Sequence, residues 1–222
     1  MNVQEFNILC NDLQLLARQI PLKWGMVQNN KTDATINLFG IKTFAELITA
    51  IDALSDIEKA YFKRRWFLWQ CSKCDEFLFC LNDNVLANPN KKDQTYDIEF
   101  NRNIELRFDV KGTVIPKQFR HNVLEIINNP VPLIDFFYEH QSKGVRENYQ
   151  NRLFIVHHSF RLQEREMYLR CHFGFKINLY KQYAQLLQKK NSFYNYKTAK
   201  ASIVFIIENQ DKTISSSFFL LN

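Results

Sequence analysis

The chain has 222 residues, 29 Lys and Arg against 23 Asp and Glu, and a net charge of +6. That length suits one sizeable domain with a helical extension, and the basic balance suits a polyanionic partner. No run of about 18 apolar residues marks a membrane span, five glycines and five prolines leave little for a long linker, and five cysteines give no paired framework, so the expected setting is a reducing cytoplasm without a membrane partner.

The first elements read as helices. Val3, Phe6, Leu9, Leu13, Leu16 and Ile20 recur at helical spacing up to Pro21, and Glu5 interrupts what would be the basic start of a secretory leader. A polar stretch follows, from Gln28 to Thr35. Thr43 with Glu46 and Ser55 with Glu58 are capping boxes, in which each side chain can satisfy an orphan amide at a helix start. The first opens a helix bearing Phe44, Leu47, Ile48, Ile51 and Leu54, and the second opens one reaching residue 80, so a tight helix–helix corner is expected. Asn82 to Asp93 reads as a loop. The period then shifts to two, with strands predicted over Tyr96 to Asn101 and Ile104 to Val114, ended by Pro116. Pro130 and Pro132 open a helix containing Leu133, Phe136, Phe137 and His140. Asn151 to His158 reads as a buried strand, and residues 163 to 189 as helix with a break expected at Gly174. A last hairpin joins Ser202 to Glu208 with Thr213 to Leu221. The expectation is a mixed α/β core over 56–222 that starts mostly antiparallel, with a helical region over 1–55 packed on it. Twenty phenylalanines predict a well-filled interior.

The segment YDIEFNRNIELRFDVKGTVIP, residues 96 to 116, carries the chemistry. Ile98 and Phe100 share one face of the first strand, and Asp97 and Glu99 the other. In the second strand Ile104, Leu106, Phe108 and Val110 oppose Glu105, Arg107, Asp109 and Lys111. A turn near Arg102 and Asn103 makes a hairpin, and pairing Ile98 with Phe108 sets Asp97 opposite Asp109 while keeping apolar with apolar. A slip by two residues keeps the same parity and leaves that register open. Opposed carboxylates ~5 Å apart at Cβ repel unless a cation stands between them. Mg²⁺ takes hard oxygen ligands, and Lys111, on the same face as Asp109, can orient or deprotonate a metal-bound water or neutralise charge on a phosphodiester under attack.

Asp97, eleven residues, then Asp109-Val110-Lys111 resembles the motif of the PD-(D/E)xK nuclease superfamily, which includes many type II restriction endonucleases and repair nucleases. The proline that usually precedes the first Asp is Tyr96 here. The resemblance spans roughly residues 56 to 210 as α-β-β-β-α-β. It implies a restriction-endonuclease-like core with a mixed sheet flanked by helices, Mg²⁺ (with Mn²⁺ able to substitute), DNA as substrate and a homodimer. It also implies an acidic residue from the preceding helix. Glu76 is the candidate, Asp75 its rival, and Glu99 a lesser one. The expected metal ligands are Asp97, Asp109 and Glu76, with Lys111 completing the catalytic set. The expected activity is endonucleolytic cleavage, with a defence or repair nuclease, or a non-cutting member that binds nucleic acid or a partner, as alternatives.

Other features fit this reading or a plainer one. Lys117 and Arg120, just past the second strand, are candidates for holding phosphates. Arg146, Asn148, Gln150, Asn151 and Arg152 carry the side-chain types that read base edges. Lys63, Arg64 and Arg65 lie amid Tyr61, Phe62, Trp66 and Phe67, a pattern that suits either a DNA groove or snorkelling stems on an amphipathic helix. Cys71 and Cys74, with Cys80, invite zinc, but no second Cys or His pair stands at a suitable spacing, so they read as buried thiols. His157 and His158 end a buried strand with one facing away from the other, so no joint metal site is expected of them.

Overall fold

Capping sets the helix boundaries. In a computed structural model describing residues 1–20, 30–90, 93, 95–140, 150–189 and 193–219, helix α1 (Val3–Ala17) starts at an Asn2–Glu5 capping box that apolar spacing alone does not reveal. After a short turn of helix, α2 (Asn30–Asp33), the two expected boxes form at Thr43–Glu46 and Ser55–Glu58. They open α3 (Phe44–Ile51) and α4 (Asp56–Phe79), with only four residues between them, the predicted corner. The Pro21 stop lies outside the described residues. The 24-residue α4 is anchored from the side, because Trp66 Nε1 and Gln70 Nε2 both donate to the Ile41 carbonyl at 3.0 Å.

Seven strands form one mixed sheet: β1 (Val85–Ala87), β2 (Ile98–Phe100), β3 (Arg107–Val114), β4 (Arg152–Ser159), β5 (Tyr194–Tyr196), β6 (Ala199–Glu208) and β7 (Ile214–Phe219). The order is β1-β2-β3-β4-β6-β5, with β7 also paired to β6. The β1-β2-β3 start is antiparallel, as expected, and β3, β4 and β6 then run parallel. Strand β1 sits in the stretch expected to be loop; its three residues, bounded by turn formers, give too short an alternation to read, and pairing with β2 supplies its ladder. The predicted strand start at Ile104 is instead a 3₁₀ turn over Ile104–Leu106, held by Asn103 accepting the Glu105 amide at 2.9 Å. Asn101 and Arg102 carry positive φ through the preceding turn.

Helices cover both faces. Leu153, Ile155, Val204 and Ile206 face a core built with α1, α3, α4, α7 (Arg165–Arg170) and α8 (Phe173–Lys189). Their neighbours Phe154, Val156, Ile203 and Phe205 face a second core under α5 (Val123–Asn128) and α6 (Val131–His140). The period-2 alternation of a strand feeds both layers, which is why β4 is buried at every position. Each fully buried Phe or Leu adds about 1.5–3 kcal/mol to folding. The 163–189 helix divides at Cys171–His172, ahead of the Gly174 expected to break it, where the α7 carbonyls are capped by the Cys171 amide. The N-terminal residues Phe6, Leu9, Leu13 and Leu16 share the first core with the sheet. Among the described residues no helix is long and apolar enough to cross a membrane.

Candidate functional site

The β2–β3 ladder pairs Ile98 with Phe108 and Glu99 with Arg107. Asp97 lies one residue beyond the ladder, out of step with it. Its amide donates to the Phe108 carbonyl at 2.9 Å, and its Oδ2 accepts the Val110 amide at 2.8 Å. The alternation that buries Phe108 and Val110 turns Asp109 to the other face of β3, and its charge acts on Asp97. Asp109 is 2% exposed, and Lys111 Nζ stands 2.7 Å from its Oδ1.

The preceding helix divides its two acids. Asp75 turns into the core, where its Oδ1 accepts Lys176 Nζ and the Tyr180 hydroxyl, both at 2.8 Å. Glu76 pairs with Lys73 at 3.0 Å, and its charge reaches Asp97. Burial first, then the negative charges of Glu76 and Asp109, push the Asp97 carboxyl up to about 7, against the Val110 amide and Lys111, which lower it. Glu76 thus stands on the hairpin side and Asp75 in a buried structural network. Glu99 is taken by Arg107, whose Nε lies 2.7 Å from its Oε2.

Parallel pairing brings in a cation. Arg152 is the β4 partner of Asp109 in register and is 5% exposed, with Nε 3.8 Å from Asp109 Oδ2 and its guanidinium 4.9 Å from the Tyr138 ring centroid. The sequence pattern places it in a polar loop reading base edges; burial inside the sheet removes it from such a surface and sets it beneath the carboxylate. No local signal announces this contact, which depends on the β3–β4 register. Asn151 is likewise committed to backbone, donating to the Glu105 carbonyl at 3.1 Å and accepting the Lys200 amide at 2.8 Å. Arg146 and Asn148 lie outside the described residues.

Lys117 and Arg120 do not join the carboxylates. Both follow the far end of β3, and five residues of strand rise between Asp109 and Val114 span ~16 Å. Lys117 is exposed there. Arg120 forms a two-pronged pair with the buried Glu166, at 2.8 and 2.7 Å, beside His158 Nδ1 at 3.3 Å from the same carboxylate. His157 is fully buried against the Thr113 carbonyl, its pKa well below the usual histidine range through burial and then the charges of Lys176 and Arg170. Arg65 is held by Asp33 at 3.2 Å, and Arg64 is lowered to about 10 by burial and then by Arg170.

Cys71 and Cys74 are buried within α4, and among the described residues no three His, Cys, Asp or Glu side chains converge as a ready-made metal cluster. The hairpin face nevertheless offers only hard oxygen donors, from Asp97, Asp109 and, beside them, Glu76. That donor set fits Mg²⁺ and not a soft metal. Asp97 makes no ion pair with a described residue, so its charge is the one a bound cation would offset. Comparison of the chain with protein-family models, curated proteins and solved structures returned no match.

Proposed function

We propose that this chain is a Mg²⁺-dependent endodeoxyribonuclease that hydrolyses DNA phosphodiester bonds, of the type II restriction class. The observation that carries the reading is Asp97, whose Oδ2 accepts the Val110 amide next to Asp109 in sequence, together with Lys111 2.7 Å from Asp109. Asp97 and Asp109 would hold the cation, which supplies Lewis-acid charge neutralisation and an acidified water. Mn²⁺ would serve in its place.

The protein's own groups have separable parts in this reading. Lys111 is about two-fifths exposed and can swing from Asp109 to hold a proton or a hydrogen bond at a phosphoryl oxygen or the attacking water. Arg152 is fixed by burial and keeps a positive charge behind Asp109 when Lys111 leaves. Glu76 stands at the third side of the site, as an additional oxygen donor or an acceptor for water. The acidity of the face without a metal explains why the cation is needed: an unshielded carboxylate cluster repels a phosphodiester. A homodimer, one active site for each strand of a duplex, completes the proposal.

A second reading is a nuclease-fold module that binds nucleic acid or a partner without cutting. The ion pairs that engage Asp109 with Lys111 and Glu76 with Lys73 favour it. Incubation of the protein with plasmid and phage DNA and Mg²⁺ or Mn²⁺ separates the two. Discrete fragments support restriction, and a smear or structure-dependent cleavage supports a defence or repair nuclease. Intact DNA with both wild type and Asp109→Ala leaves only the binding module.

A further inference from the structure

Strand β7 is an edge of the sheet. Its residues, Ile214–Phe219, pair with β6 on one side, and among the described residues no strand pairs with the other. Edge strands are ordinarily blunted by a lysine, a proline or an inward charge, and the sequence Ile-Ser-Ser-Ser-Phe-Phe has none of these. We propose that this edge pairs antiparallel with β7 of a second copy of the chain, about a two-fold axis through Ser216. The proposal goes beyond the nuclease reading. It names the surface of a homodimer, but it stands on strand geometry alone and holds or fails whether or not the protein cuts DNA.

Three observations carry it. The first is which groups face outward. In an antiparallel ladder, alternate residues exchange hydrogen bonds with the same neighbour. The Asn209 amide donates to the Thr213 carbonyl at 2.9 Å where the β6–β7 hairpin closes. The pairs Ile207–Ser215, Phe205–Ser217 and Ile203–Phe219 follow from it in steps of two, so these residues bond across to β6. The N–H and C=O groups of Ile214, Ser216 and Phe218 therefore point to the open edge, and the whole strand is only half-buried. The second is register. A two-fold axis perpendicular to the sheet keeps each face continuous, so outward residues meet outward residues. Centred on Ser216, it sets Ile214 opposite the partner's Phe218 and Ser216 opposite itself, with about six main-chain hydrogen bonds across the edge. Ile214 and Phe218 both pack against the first core, so their partners extend one apolar row. Centring on Ser217 would instead set Ser216 against the partner's Phe218. Matching apolar with apolar selects the Ser216 centre. The third is charge. Although the chain carries +6, β7 has no charged residue, so two copies meet there without repulsion. The Ile-Ser-Ser-Ser-Phe pattern is its own complement about its middle residue, which is what commits the edge to a second copy.

One strand pair makes a small interface, below ~1,200 Å², so the dimer is trapped as well as weighed. Sedimentation velocity of the full chain should show a dimer fraction that rises with concentration. With diamide as thiol oxidant, Ser216→Cys should give a covalent dimer on a non-reducing gel. Its two copies would have Cα atoms ~5.5 Å apart, inside the span of a disulfide. Ser217→Cys should stay unlinked, because its two copies are diagonal neighbours roughly 7–8 Å apart. The wild type, with its five native cysteines, gives the background. Ser216→Pro removes an outward amide that the β6 ladder does not use, and Ser216→Lys sets two ammonium groups opposite each other. Each should weaken the dimer by about tenfold or more while circular dichroism shows the fold retained. Three results overturn the proposal: a monomer at every concentration, which leaves the edge to a foreign strand; linkage of Ser217→Cys in place of Ser216→Cys; or a dimer indifferent to both folded Ser216 variants. None of these measurements reads cleavage, so the nuclease reading stands or falls separately on the plasmid assay.

Discussion

Asp97 carries the pH signature of the site. Its carboxyl is raised to about 7 by burial and by the Glu76 and Asp109 charges, so folding favours its protonated form. A carboxyl with a higher pKa folded than unfolded costs stability once it ionises. The cost is absent below about pH 4, grows as pH rises towards 7 and is complete above it. Urea melts of the metal-free protein at pH 5 and pH 8 should therefore show Asp97→Asn gaining stability over wild type on going to the higher pH, since the amide can still accept the Val110 N–H but never ionises. An equal difference at both pH values would refute the assignment. At Lys111 the expectation is kinetic. Lys111→Met should still fold, because Arg152 stays beside the buried Asp109 carboxylate when the part-exposed lysine is lost, and should slow DNA cleavage by roughly 10²–10⁴-fold, measured on a supercoiled plasmid.

At the scale of elements, neighbouring residues of α4 separate structure from chemistry. Asp75 meets a lysine that is 0% exposed, so Asp75→Ala leaves a buried charge without its partner and should cost about 3–5 kcal/mol in chemical denaturation. Glu76→Gln removes only a part-exposed i,i+3 pair, so its effect on stability should stay within about 1 kcal/mol while cleavage falls. Strand β3 is tied to the same network. A Cβ at Gly112 would meet Arg170 Nη1 at 2.9 Å and Asp75 Oδ2 at 3.9 Å. Gly112→Ala should force the buried arginine aside at a cost of roughly 1–3 kcal/mol, read from the same denaturation curve.

For the whole molecule, a cation bound only by the folded chain must raise its melting temperature. At 100 times its Kd, Mg²⁺ stabilises by ~2.7 kcal/mol, which for a chain of this size corresponds to roughly 5–10 °C by differential scanning fluorimetry. Asp109→Asn should lose that shift. A wild-type melting temperature that ignores Mg²⁺ would favour the non-cutting reading. The +6 charge adds a second global expectation, DNA affinity that declines steeply between low and moderate salt as counterions are retained.

Local rules act strongly enough to be read from the chain alone. The Thr43 and Ser55 caps depend on residues three apart, and the pairing of Ile98 with Phe108 depends on a short turn plus period-2 alternation, so both are legible in the residue pattern itself. Short elements are not: β1, β5 and the 3₁₀ turn after Asn103 are too brief to show a period, and they form because a neighbour supplies their hydrogen bonds. What only the tertiary structure decides lies between distant segments. Parallel pairing of β3 with β4 sets Arg152 beneath Asp109, contacts with Lys176 and Tyr180, about a hundred residues away, draw Asp75 inward, and Glu166 takes Arg120 away from any phosphate-holding role near the carboxylates. Alternation within a strand determines which face a side chain occupies; which charge waits on the other side of that face is settled only when the strands and helices pack.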